Sequence, residues 1–217
     1  MRKVLIPLYR ALGLALCLFG LAIQLGLLTG QPNPGVLIFF TIQSNLVCAA
    51  LWIALLIRPQ LPPVWHGIAA QGILLTMVVY HFLLAGGTFS MSSFTGSLYG
   101  IANLLVHYVV PTMMIVDFLI LTPRQYLRRF APLCWAIFPL AYFGFAMIHG
   151  ATGRPIYKGA TTSYPYFFID PKGPGLLANP QGFGGVILYA IVICAVYIAA
   201  GYAMRAVYLL IRPRKTA

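Results

Sequence analysis

Six stretches of this chain, near 8–29, 36–57, 64–85, 100–121, 131–149 and 184–210, are long and apolar enough to cross a bilayer. The hydrocarbon core is about 30 Å thick and a helix rises about 1.5 Å per residue, so a span needs about 20 predominantly apolar residues. The expected fold is an all-α integral membrane bundle of six transmembrane helices, one domain over 1–217. With 61% of its residues hydrophobic and 7% charged, the chain is too apolar for a water-soluble domain.

Arg2 and Lys3 precede the first stretch, as in a signal peptide. The stretch is long and no small-residue cleavage pattern closes it, so it is expected to stay as the first span. Cys17, Cys48, Cys134 and Cys194 all fall within spans with no paired spacing, which suggests packing residues rather than a disulfide framework or a zinc site.

The net charge of +12 is a matter of topology. Arg2, Lys3, Arg10, Arg58, Arg124, Arg128, Arg129, Arg205, Arg212, Arg214 and Lys215 fall on one side of a six-span arrangement. The other side carries only Arg154, Lys158 and Lys172, all in the long loop 150–183. The positive-inside rule places both termini in the cytoplasm of a multi-pass cell-membrane protein. The basic excess then serves orientation and attraction to anionic membrane lipids, and no nucleic-acid partner is expected.

Three outer loops follow: 30–35, 86–99 and 150–183. The last is rich in Pro, Gly and aromatics (TTSYPYFFIDPKGPG), too apolar for a solvated linker and too long for a turn, so it is expected to pack back onto the bundle or to dip into the outer interface as a lid.

The second span, FFTIQSNLVCAALWIALLI, carries Thr41, Gln43, Ser44 and Asn45 close together. Thr41, Ser44 and Asn45 stand at i, i+3 and i+4, one helix face; on the fourth span Asn103, His107 and Pro111 stand at i, i+4 and i+8, another. Counted from the outer surface, Thr41, His81 and His107 share a layer, and His149 can join its rim. Polar groups within a membrane turn into the bundle, where they either glue helices together or mark function. Two polar stripes at matching depth predict an interior pocket open to the outer side.

Asp117 and Asp170 are the only acids. Asp117 lies about 15 Å of helix rise from His107, too far to orient the imidazole, and its expected partner is Arg10 at similar depth. Asp170 lies in the outer loop, where it either folds over the pocket or makes an Asp-Pro turn. The acids lie toward opposite sides of the membrane, so a carboxylate dyad is excluded, and GxSxG, HExxH and phosphate-binding glycine loops are absent. What remains is a hydroxyl nucleophile with a histidine base. Thr41 lacks the free amine of an N-terminal threonine and needs an imidazole to take its proton, for which His107 is best placed. Asn103 or a loop group is a partner for the second ring nitrogen, and Asn45 or Gln43 an oxyanion donor. Ser44, His81, Asp170, Tyr166 and Arg154 complete the substrate-binding candidates, Arg154 or Lys158 being the candidate for a free carboxylate.

The motifs FFTIQSNL on the second span, HYVVP with the downstream Asp of MMIVDF on the fourth, and YPYFFIDP in the last outer loop resemble the bacterial branch of the androgen-induced-gene family of six-span proteins. The resemblance covers nearly the whole chain in span count and motif order. It implies an atypical threonine hydrolase that cleaves fatty acid esters of hydroxy fatty acids, with Thr41 and His107 at the catalytic positions. No metal or cofactor is expected for such chemistry. The lipid ester is then the partner, drawn from the bilayer. Two other readings stay open: a non-catalytic carrier or receptor for a lipid or small molecule, and a haem or metal protein using His81, His107 and His149.

Overall fold

The computed structural model describes residues 2–123, 126–173 and 182–211. Six helices among these are long and apolar enough to cross a membrane: Val4–Gln24, Phe40–Ile57, Pro63–Leu84, Leu98–Leu121, Ala131–Ala151 and Phe183–Ile211. No strand occurs among the described residues. The chain is an all-α, multi-pass membrane protein, as its apolar stretches predict. Arg124, Arg212, Arg214, Lys215 and the 174–181 part of the last loop lie outside the described residues.

The first span ends at Gln24, short of the expected 29, because the backbone turns at Gly26 with φ of +74°. The Gly26 amide donates to Ile23 and the Leu27 amide to Ala22, both at 2.9 Å, which satisfies the last carbonyls of the helix. A side chain at Gly26 would run into the Gln31 carbonyl. The second span is preceded by a 3-10 turn, Pro34–Ile38, so its regular helix starts at Phe40, one residue before Thr41. The third opens on Pro63, whose missing amide costs nothing in a first turn.

The first four spans pack against one another, and the fifth and sixth lean on the third. One core, with Trp52, Phe118, Trp135 and Tyr208, fills the end of the bundle nearer the termini. A second, with Phe40, Tyr142, Phe168, Ile169 and Tyr189, lies at the opposite end, where the described part of the last loop folds onto the second, fifth and sixth spans. This end, bearing all three loops, is called the loop face below.

Two features set the geometry at that end. The third and fourth spans widen into single π-helical turns at Tyr80–Leu84 and Leu105–Val109, and the fourth again at Asp117–Leu121. Such turns insert a residue into the helix and re-aim its side chains, often at functional sites. Interior prolines also release carbonyls. The Val110 amide bonds Leu105, and the next amide in that register would be residue 111's, aimed at Val106. Proline has none, and the Val106 carbonyl accepts instead from Asn45 Nδ2 of the second span at 3.1 Å. Pro139 likewise cannot serve the Trp135 carbonyl, which takes Tyr197 Oη of the sixth span at 3.2 Å.

Toward the termini, the Arg10 guanidinium makes two 2.9 Å bonds to the Asp117 carboxylate, and Trp52 Nε1 donates to the same carboxylate at 2.9 Å. Arg10 is 3% exposed and Asp117 not at all, so this is the expected ion pair, fully buried. Breaking such a pair strands a charge, which is how it holds the first, second and fourth spans in register.

Candidate functional site

Thr41 stands in the first turn of the second span, and its Oγ1 lies 3.3 Å from His107 Nε2 on the fourth. The other ring nitrogen, His107 Nδ1, lies 3.0 Å from the carbonyl oxygen of Asn103, one turn back. A carbonyl only accepts, so Nδ1 carries the ring proton and Nε2 presents a lone pair to the threonine hydroxyl. That arrangement is a nucleophile and base, with a backbone carbonyl holding the tautomer where a carboxylate does so in the serine triads. Tyr80, on the π turn of the third span, stacks on the imidazole with centroids 3.7 Å apart and planes 20° apart. The imidazole is thereby held on one edge and one face, and it is 7% exposed.

The remaining polar residues of the second span fix where Thr41 sits. Asn45 spends both amide hydrogens, on the Thr41 carbonyl at 2.8 Å and on the proline-released carbonyl of Val106 at 3.1 Å. Its Oδ1 faces the Cys17 thiol at 3.8 Å. Ser44 bonds the Thr41 carbonyl at 3.1 Å and the Thr76 hydroxyl of the third span at 2.7 Å. Second, third and fourth spans are thus tied together within one turn of Thr41. Asn45 therefore has no hydrogen left for an oxyanion, and Gln43 turns the other way, donating to the Leu37 carbonyl at 3.1 Å and lining neither cavity at Thr41.

Tyr166 comes from the last loop and lines the space around Thr41 with Tyr80. Burial raises its phenol above the ordinary tyrosine value, and hydrogen bonding with Thr41, Phe40 and Tyr142 pulls the other way. The phenol keeps its proton at neutral pH and sits beside the threonine.

Other expected members lie apart. Asn103 accepts from Gln24 Nε2 of the first span at 2.8 Å through its side chain, so its contact with His107 is through the backbone. His81 pairs its Nδ1 with the Tyr108 hydroxyl at 3.1 Å. Asp170 accepts from Thr162 Oγ1 and from the Lys172 amide, both at 2.8 Å, closing the loop on itself. His149 meets the Ser163 carbonyl at 3.0 Å, fastening the loop to the fifth span. Arg154 is exposed, and its amide meets the Thr152 hydroxyl. No three His, Cys, Asp or Glu side chains gather as metal ligands among the described residues. Tyr80 escaped the sequence reading because an aromatic on an apolar helix looks like any core residue.

Two cavities meet at Thr41. One is walled by Leu75, Val79, Leu140, Phe143, Ile193 and Cys194 of the third, fifth and sixth spans. The other lies toward the loop face and includes Gln24, Asn103, His107 and the Pro165–Phe167 stretch. Thr41, Tyr80, Leu84 and Tyr166 line both. Comparison with protein-family models, with curated proteins and with solved structures returns no match.

Proposed function

We propose that this protein is a membrane-embedded hydrolase of lipid carboxylic esters, with Thr41 as nucleophile and His107 as general base. The observation that carries the reading is the relay Thr41 Oγ1, His107 Nε2, His107 Nδ1, Asn103 carbonyl, with 3.3 Å and 3.0 Å separations. Thr41 Oγ1 adds to the ester carbonyl as His107 Nε2 takes its proton; the developing oxyanion meets the Tyr166 phenol. The C–O bond to the alcohol breaks, His107 returns the proton to the departing oxygen, and an acyl-threonine remains. A water gives a proton to His107 and adds to that acyl group; release of the acid restores the threonine hydroxyl.

The motifs that resemble those of the androgen-induced-gene family point to the same two residues, and fatty acid esters of hydroxy fatty acids are the first substrates to try. The distribution of Arg and Lys supports a cytoplasmic membrane with both termini inside, which places the loop face on the outer side. A carrier that binds a lipid without reacting would use the same apolar cavity, and the two readings part on chemistry. Purified protein in detergent is incubated with such an ester and with a chromogenic acyl ester. Wild type is expected to release acid, and Thr41→Ala and His107→Ala each to lose about 10³-fold or more. Wild-type turnover in either variant, with the fold intact, would sink the hydrolase reading and leave the carrier.

A further inference from the structure

We infer that the two cavities divide the substrate: the acyl chain occupies the apolar chamber between the third, fifth and sixth spans, entering sideways from the membrane, while the alcohol half occupies the loop-side cavity. The inference rests on the Thr41–His107 hydrolase reading for its direction, and the chamber is also testable without any turnover.

The direction follows from where the proton must go. The leaving oxygen belongs to the alcohol, and it takes its proton from His107 Nε2. His107 lines the loop-side cavity and not the apolar chamber. At the junction where Thr41 Oγ1 attacks, the alcohol therefore lies on the histidine side and the acyl chain extends the other way. The incoming water needs the same base, so it uses the loop-side cavity once the alcohol has left, and the acyl chain stays where it was. Proton economy and cavity geometry agree without any assumption about the lipid's identity.

The lining agrees as well. Beyond Thr41, the chamber's polar groups are the Thr76 hydroxyl, already bonded to Ser44, the Cys194 thiol and tyrosine phenols. The Ile137–Ala151 helix and the sixth span meet through side chains, as where Tyr142 and Ala146 share a core with Val186 and Tyr189, and Leu140, which lines the chamber, is 52% exposed. The mouth lies beside Leu140. A chain moving from bilayer into the chamber exchanges one apolar surrounding for another, so the transfer itself gives little affinity. Length selection must come from the chamber's walls, through the penalty for overpacking.

Two measurements test this. Cys194 lines the chamber, whereas Cys134 is exposed on the fifth span, giving an internal control. Alkylation of the detergent-solubilised protein by a small apolar maleimide is mapped by mass spectrometry with and without palmitic acid. Palmitic acid is expected to slow Cys194 at least about tenfold, with butyric acid ineffective and Cys134 unchanged. Equal response of the two cysteines would overturn the chamber as an acyl site and make it a crevice for bulk lipid, whatever the protein hydrolyses. Protection of Cys194 together with no ester turnover would leave the chamber standing and remove the catalytic reading with its orientation.

With turnover present, a crossed pair of variants reads the orientation. Ala190→Phe narrows the apolar chamber, and Val36→Trp narrows the loop-side cavity. Ala190→Phe is expected to lower the ratio of long-acyl to short-acyl turnover about tenfold or more. Val36→Trp is expected to lower the ratio of bulky-alcohol to methyl-ester turnover. The opposite pairing, with Ala190→Phe reading the alcohol and Val36→Trp the acyl chain, would overturn the assignment.

Discussion

Replacing Asn45 by Ala removes two hydrogen bonds at once and strands the Val106 carbonyl, which has no amide to turn to because residue 111 is proline. Asn45 is fully buried, so water does not replace the lost donor. Helix-to-helix hydrogen bonds in membranes average about 0.6 kcal/mol and reach about 1.7, and a stranded buried carbonyl costs about 1–3 kcal/mol. Asn45→Ala should therefore destabilise the bundle by about 1–3 kcal/mol. The same geometry makes a sharper prediction. Pro111→Ala supplies the missing amide one residue beyond the Val110–Leu105 bond, in register with the Val106 carbonyl. In the Asn45→Ala background it should recover about 1 kcal/mol more than it contributes in wild type, where Asn45 already holds that carbonyl. The assay is a double-mutant cycle of reversible unfolding in mixed micelles, for wild type, both single variants and the double. Additivity within about 0.5 kcal/mol would refute the view that proline frees this carbonyl for asparagine.

Other perturbations address the surrounding parts. Tyr80→Phe keeps the stack on His107 and should keep ester turnover close to wild type, while Tyr80→Leu should lower it about threefold to tenfold, measured as kcat. Asp117→Asn should lower unfolding stability by about 3–5 kcal/mol by leaving Arg10 buried without its counter-charge, and Arg10→Met with Asp117→Leu should recover part of that loss. Gly150→Ala would drive a methyl group into the Tyr164 ring, so it should lift the loop: faster proteolysis within 152–170 and weaker turnover are expected, and unchanged values of both would argue against the loop as a cover for the site.

Length and hydropathy made the six spans legible, since nothing else places so many apolar residues in runs of that size. The Arg10–Asp117 pair was legible for a related reason: Asp117 is the one acid within a span, and Arg10 is a cation at similar depth on another. Helical spacing also brought Thr41 and His107 into one layer, and the structure places them in hydrogen-bond contact. Partner choice was less accessible. Asn45 and Gln43 looked interchangeable as oxyanion donors, yet both hydrogens of Asn45 go to backbone carbonyls inside the bundle while Gln43 faces away from the pocket and donates to Leu37. The difference depends on which way each side chain faces, and their separation of two residues turns them to different sides of the helix. Asp170 could be read either as a pocket group or as a turn, and its bonds to Thr162 and Lys172 describe a turn. The π turns have no signature in an apolar run, because every residue in it is equally content in a regular helix. They are visible only once neighbouring spans decide where an extra residue can be absorbed.

The buried Arg10–Asp117 pair also bears on how the chain is made. The two charges are brought by the first and fourth spans, and the tryptophan that joins them by the second. Each charge alone makes its own span costlier to release into lipid, by up to about 3 kcal/mol for a residue near mid-membrane. During synthesis, Arg10 and Trp52 precede Asp117 by more than sixty residues. Until the fourth span arrives, the nascent chain therefore lacks the carboxylate that pairs with Arg10 in the folded bundle, and a chain cut before the fourth span is expected to hold its first span in the membrane less firmly than the full chain does.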